Sequence, residues 1–187
     1  MLAEDMGQPS IPHEHPDARN FLPSQFDPRQ SFDLIICDGQ VLRNHDRAGY
    51  RERTEASRLS LAQLTLPLDH LNPGGTMIVL HKVEALATLF KHTKFHAKQS
   101  SFYMLATNIR ADSEDAKTAI ERWKVQWKIA TFGTDNDNCE AIHLDMSDIE
   151  VILQEFGPKL IKLGRKIWEI QASALEKAPF MTQTSSS

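Results

Sequence analysis

The chain has 187 residues, a length that suits one domain with a real core. It is 41% hydrophobic and 25% charged, an ordinary globular balance, and a formal net charge of -4 excludes a global basic field for nucleic acid, so any RNA contact must come from a local basic patch. Cys37 and Cys139, far apart and without CxxC spacing, read as free thiols in a reducing compartment. The N-terminus resembles no targeting peptide and no apolar run approaches a bilayer's span, which points to an intracellular protein, cytoplasmic or nuclear, with no membrane partner.

Residues 1–30 form a loop-rich segment. A short turn or helix at Leu2–Met6 gives way to a stretch punctuated by Pro9, Pro12, Pro16, Pro23 and Pro28 with no hydrophobic period. A loop of that length is functional or partly mobile. His13 and His15 within it are expected at the surface. Phe32–Asp38, FDLIICD, is a short apolar run ending in an acid and Gly39, and predicts a buried parallel strand. Arg51–Leu71 predicts a helix with a broad face of Leu59, Leu61, Leu64, Leu66 and Leu68. Asn72–Gly75 predicts a turn, and Thr76–Leu80 a second buried strand running into His81 and Lys82. Strand, helix, turn, strand is a βαβ unit in a mostly parallel sheet.

A short strand is possible at Thr88–Phe90, and Ser101–Ile109 predicts another. Asp112–Ile129 predicts a helix capped by Asp112 or Ser113, with Ala116, Ile120, Trp123 and Trp127 on one face. Thr134–Asn138 reads as a turn-rich linker. Ser147 and Glu150 form a capping box for a helix ending at Phe156–Gly157, and Pro158 opens a last helix to about Lys177. The organisation expected is therefore a loop-rich segment at 1–30, an α/β domain at 31–110, a helical extension at 111–181 and a disordered tail at 182–187.

Asp38 stands where an acid at the C-terminal end of a parallel strand meets the ligand crevice of an α/β sheet. Gly39 permits a sharp turn and close approach of a ligand. Lys82 ends the next strand at the equivalent height, so the two side chains can converge, and a lysine beside a carboxylate stays charged and orients it. Each residue alone has an ordinary structural reading, as a loop cap or a solvated strand end.

Taken together, FDLIICDGQ, a long helix and LNPGGTMIVLHK resemble the FtsJ-like RNA 2′-O-ribose methyltransferases. KHTKFHAKQSSFYML is similar to the segment leading into that family's late strand, and the helical tail resembles its fungal branch. The resemblance covers residues 30 to 110 best. It implies a Rossmann-like sheet and methyl transfer from S-adenosylmethionine to a ribose 2′-hydroxyl of RNA. It further implies that Asp38 and Lys82 are the Asp and second Lys of a Lys-Asp-Lys-Glu catalytic set, and that Asp38 and Gly39 meet the cofactor. A ribose hydroxyl is a poor nucleophile at neutral pH, and a lysine held near a carboxylate can take its proton or stabilise its developing charge.

The sequence departs from the family pattern in three places. No glycine-rich cofactor turn precedes Phe32 and no GxG occurs anywhere. Only about five residues separate Lys82 from the strand at Thr88, too few for a βαβ crossover. No acid stands at Ser101–Tyr103, where Phe102 occupies the place of the late Glu. The expectation is thus a methyltransferase of this type impaired by lack of its cofactor-binding N-terminal half. The alternative is a non-catalytic fragment that binds RNA or a protein, unidentified, through its sheet edge and helical tail.

Lys91, Lys94 and Lys98, with His92 and His96, form a local basic patch, either an RNA-binding surface or a solvated loop. The histidine spacing could hold a metal only with a third ligand that the sequence does not supply, so no metal is expected. Trp123, Trp127 and Trp168 are expected to pack rather than stack on bases. Lys159, Lys162, Arg165 and Lys166 read as a solvated face of the last helix, and Cys37 as a small core residue.

Overall fold

The structure is a computed structural model, and it describes residues 5–6, 11–41, 49–81, 88–91, 93, 97–98, 101–133 and 135–178. Its elements are β1 (Phe32–Cys37), α1 (Glu55–Asp69, preceded by a 3-10 turn at Gly49–Arg51), β2 (Leu71–His81), β3 (Thr88–Phe90), β4 (Phe102–Ile109), α2 (Glu114–Phe132) and α3 (Asp135–Glu176).

The four strands form one open sheet in the order β1-β2-β4-β3. β1 and β2 pair in parallel, with Cys37 level with Val79, so β1–α1–β2 is the βαβ unit predicted from the apolar runs. β4 inserts antiparallel between β2 and β3. Three strands therefore run one way and one runs against them. The sheet is α/β but mixed, where a mostly parallel one was expected. β4 pairs antiparallel with both of its neighbours, and the eleven residues that join it to β3 are enough for such a pairing without a crossover helix.

The Asn72–Gly75 segment is not a free turn. It lies inside β2 as a wide bulge, in which the two steps from Phe32 to Leu34 face the five from Leu71 to Thr76. Gly74 takes φ 82°, a left-handed conformation that favours glycine. A Cβ on Gly75 would lie 2.8 Å from the Asn72 carbonyl oxygen. The other side of β2 answers with a shift of its own, where Asn108 of β4 adopts φ 54°.

One face of the sheet carries a core of Met77, Val79 and Met104, flanked by Cys37, Leu89 and Ile109. A second core lies between helices. Trp127 of α2 is fully buried with Met6, against Ile11, Phe21, Leu61, Ala62, Leu66 and Phe132. Of the expected leucine face of α1, Leu68 is buried while Leu59, Leu61, Leu64 and Leu66 are half-buried. Its innermost side chains are Arg58 and Thr65, seven residues apart on the side that meets α2. Arg58 Nε donates to Thr131 Oγ1 at 3.1 Å, its Nη1 pairs with Glu55 at 2.9 Å, and Thr131 Oγ1 donates to the Trp127 carbonyl at 2.6 Å. The N-terminal segment is tied into this core. His15 Nδ1 accepts from the Asp17 N–H at 3.2 Å, which leaves Nε2 to donate to the Thr131 carbonyl at 3.1 Å. His15 is thus half-buried rather than at the surface, while His13 is exposed.

α2 begins as its sequence predicts, with Ser113 Oγ accepting from the Ala116 N–H at 3.2 Å. Its packing on α1, fixed also by Lys124 to Asp69 at 2.8 Å, makes it part of the same body as the sheet's crossover helix. α3 differs from expectation. Asp135–Asn138 are helical rather than linker, and the helix passes through Gly157 and Pro158 without a break. An interior proline removes one backbone hydrogen bond, to the Gln154 carbonyl, but the turns on either side keep theirs. Trp168, expected to pack, is 49% exposed and lies over Gly164 of its own helix. Residues 179–187, and with them the predicted tail, lie outside the described residues.

Candidate functional site

β1 delivers Asp38 and Gly39 just beyond its C-terminal end, and β2 passes beside them toward His81. Cys37 is level with Val79, so Asp38 stands beside Leu80. Leu80 in turn faces Tyr103 of β4. The Asp38 carboxylate and the Tyr103 phenol meet across β2 in a side-chain hydrogen bond. Burial, with the Asp38 charge and that hydrogen bond behind it, raises the Tyr103 pKa above its ordinary value of 10.0. Tyr103 therefore stays protonated, donates a hydrogen bond to Asp38 and holds the carboxylate at the strand ends.

Gly39 is held from the other side. Its N–H donates to Gln63 Oε1 at 2.6 Å, and the Gln63 side-chain amide donates back to its carbonyl at 3.0 Å. A Cβ on Gly39 would lie 2.9 Å from Gln63 Oε1 and 3.2 Å from Leu59. The close approach to Gly39 is made by α1, through the far ends of the Gln63 and Leu59 side chains.

A cleft of about 770 Å³ runs from Asp38 along β1. Phe21 and Phe26 of the N-terminal segment, Phe32 and the apolar residues of β1, and Leu59, Ala62 and Leu66 of α1 make its apolar lining. Its polar groups are Asp17, Asn20, Asp38, Glu55, Arg58, Gln63 and His70. Cys37 also lines it, with burial pushing its thiol up to about 11, so the sulfur stays protonated at neutral pH.

The expected site residues fare differently. Asp38 is exposed and lines the cleft. Lys82 and Lys94, with His92 and His96, lie outside the described residues. Lys91 turns inward instead of toward RNA. It is 7% exposed, its ammonium donates to the Ser101 carbonyl at 2.6 Å, and desolvation lowers its pKa. Lys98 is exposed. Phe102 is buried in the sheet, and its neighbour Tyr103 is the late-strand residue that reaches Asp38. Strand alternation could have signalled this, because Tyr103 and Phe102 must point to opposite faces. Nothing in the sequence singles out Gln63.

The fit to S-adenosylmethionine is partial. Its adenine needs an apolar slot, which the cleft supplies, and Asp38 is open to a polar partner. Gly39 does not fit as a cofactor contact, because Gln63 takes both its peptide N–H and its carbonyl. Among the described residues no group of His, Cys, Asp and Glu could hold a metal ion, and no helix is long and apolar enough to cross a membrane. Comparison with protein-family models, curated proteins and solved structures gives no match.

Proposed function

We propose that this chain carries part of an FtsJ-type, S-adenosylmethionine-dependent methyltransferase domain directed at RNA ribose 2′-hydroxyls, and that it is impaired as a catalyst on its own. The observation that supports this reading is Asp38. An exposed acid closes β1 of a βαβ unit, fixed by Tyr103, next to the strand that leads to His81 and Lys82. Ligand crevices of α/β sheets form at such strand ends. Held by the phenol, Asp38 is positioned to orient a ribose hydroxyl or a neighbouring ammonium without rotating away. The impairment is supported by Gly39, whose peptide N–H and carbonyl are both engaged by Gln63.

Backbone amide NMR during titration with S-adenosylhomocysteine tests both parts. The expected result is weak, millimolar binding that moves the Asp38 and Tyr103 signals and disappears in Asp38→Ala. Silence at those amides removes the methyltransferase reading, and a micromolar Kd removes the impairment.

A second, non-catalytic reading is favoured by one feature. β1 ends the sheet with Leu34 and Ile36 53% and 62% exposed, an apolar edge suited to a binding partner.

A further inference from the structure

Successive side chains of a strand point to opposite faces, so a cleft against one face touches every second residue. The cleft beside β1 is lined by Leu34, Ile35, Ile36 and Cys37 in unbroken succession. A space that reaches all of them wraps around the strand's edge, where the backbone lies. That edge is unpaired among the described residues, since β1 is terminal in the sheet and its one partner, β2, is on the other side. The exposed side of the cleft thus offers peptide N–H and C=O groups over roughly 10 Å of strand, between apolar walls.

We infer that this edge takes an extended peptide strand from a partner protein, apolar in its alternate residues and ending in a lysine or arginine that pairs with Asp38. Main-chain hydrogen bonds to β1 supply the affinity, and the phenyl groups of Phe21, Phe26 and Phe32 receive the peptide's apolar side chains. Charge selects the occupant. The cleft's acids are Asp17, Asp38 and Glu55. Its one arginine, Arg58, is committed to Glu55 and Thr131, and among the described residues no cation pairs with Asp38. An acidic peptide meets like charge there. A second copy of this chain is disfavoured because antiparallel pairing of FDLIICD with itself sets Asp38 of one copy opposite Phe32 of the other and brings it no cation. The inference rests on the edge and the cleft, and stands or falls separately from catalysis.

The test uses the whole chain and a fluorescent hexapeptide, acetyl-Val-Thr-Val-Thr-Val-Lys-amide, with fluorescence polarisation for affinity and amide hydrogen exchange for location. Saturable binding is expected, with slowed exchange within Leu34–Cys37. N-methylation of alternate peptide nitrogens weakens it about tenfold, the size of one or two lost backbone hydrogen bonds. Asp38→Asn weakens the lysine-ended peptide and leaves a threonine-ended one unchanged. Equal affinity for the N-methylated peptide overturns the proposal, as does absence of binding at millimolar peptide. Self-association of the chain that protects the same amides, without peptide binding, assigns the edge to a second copy and also overturns it.

Discussion

Asp38 and Tyr103 lie on strands that do not touch, yet their side chains share a proton donor and acceptor across β2. The folded chain keeps the phenol protonated beyond its ordinary value of 10.0, first through burial and then through the Asp38 charge. Stability from this group is complete below about pH 10 and is lost as pH rises through the raised folded value. In a Tyr50→Phe background, which leaves Tyr103 as the single tyrosine, phenolate absorbance should titrate late. Asp38→Asn should bring it back only part of the way, because burial, the larger cause, remains. Arg58 is the residue whose loss should matter most for stability. It is 2% exposed and links Glu55 on α1 to Thr131 on α2. Arg58→Leu strands both partners and is expected to cost about 3 kcal/mol. A fall in the urea midpoint with unchanged slope is the readout. Neither role was legible from residue type. Arg58 sits in a helix that reads as leucine-faced, and arginine is seldom fully buried without partners that only the fold brings to it.

At the scale of elements, apolar runs and caps located β1, α1, β2, β4 and α2 within a few residues, because periodicity and capping are local properties. Two connections misled. Pro73-Gly74-Gly75 has turn chemistry, but neighbours on both sides hold it in register as a bulge. Gly157-Pro158 has the chemistry of a helix end, but one continuous α3 spans it. Beyond its chain neighbours a Cβ on Gly157 would meet nothing within 4 Å, but Pro158 follows it, and a Cβ on a helical residue crowds the ring of a proline after it. Gly157→Ala is therefore expected to gain less than the roughly 0.5–1 kcal/mol of an ordinary helix site, seen as a urea midpoint that hardly moves. Gly164→Ala differs, because its Cβ falls 2.6 Å from Trp168 and moves that exposed indole.

For the molecule as a whole, the N-terminal segment is a wall rather than a loose leader. Phe21 packs edge-on against Trp127 at 6.4 Å and tilted on Phe132 at 5.8 Å, while also lining the cleft. Phe21→Ala is expected to cost about 2 kcal/mol for a half-buried ring and to red-shift tryptophan emission as water reaches Trp127. The sequence by itself determined the βαβ unit, the place of Asp38 at a strand end, and the start of α2, because each depends on neighbours a few residues away. Only the tertiary structure decided that β4 enters antiparallel and brings Tyr103 to Asp38, that Gln63 closes on Gly39, and that Lys91 turns inward. It also decided that residues 11–26 and α1 enclose a cleft along the open edge of β1. Those outcomes join residues tens of positions apart. What chooses among such pairings is the burial of whole faces and the pairing of backbone groups, which no local pattern encodes.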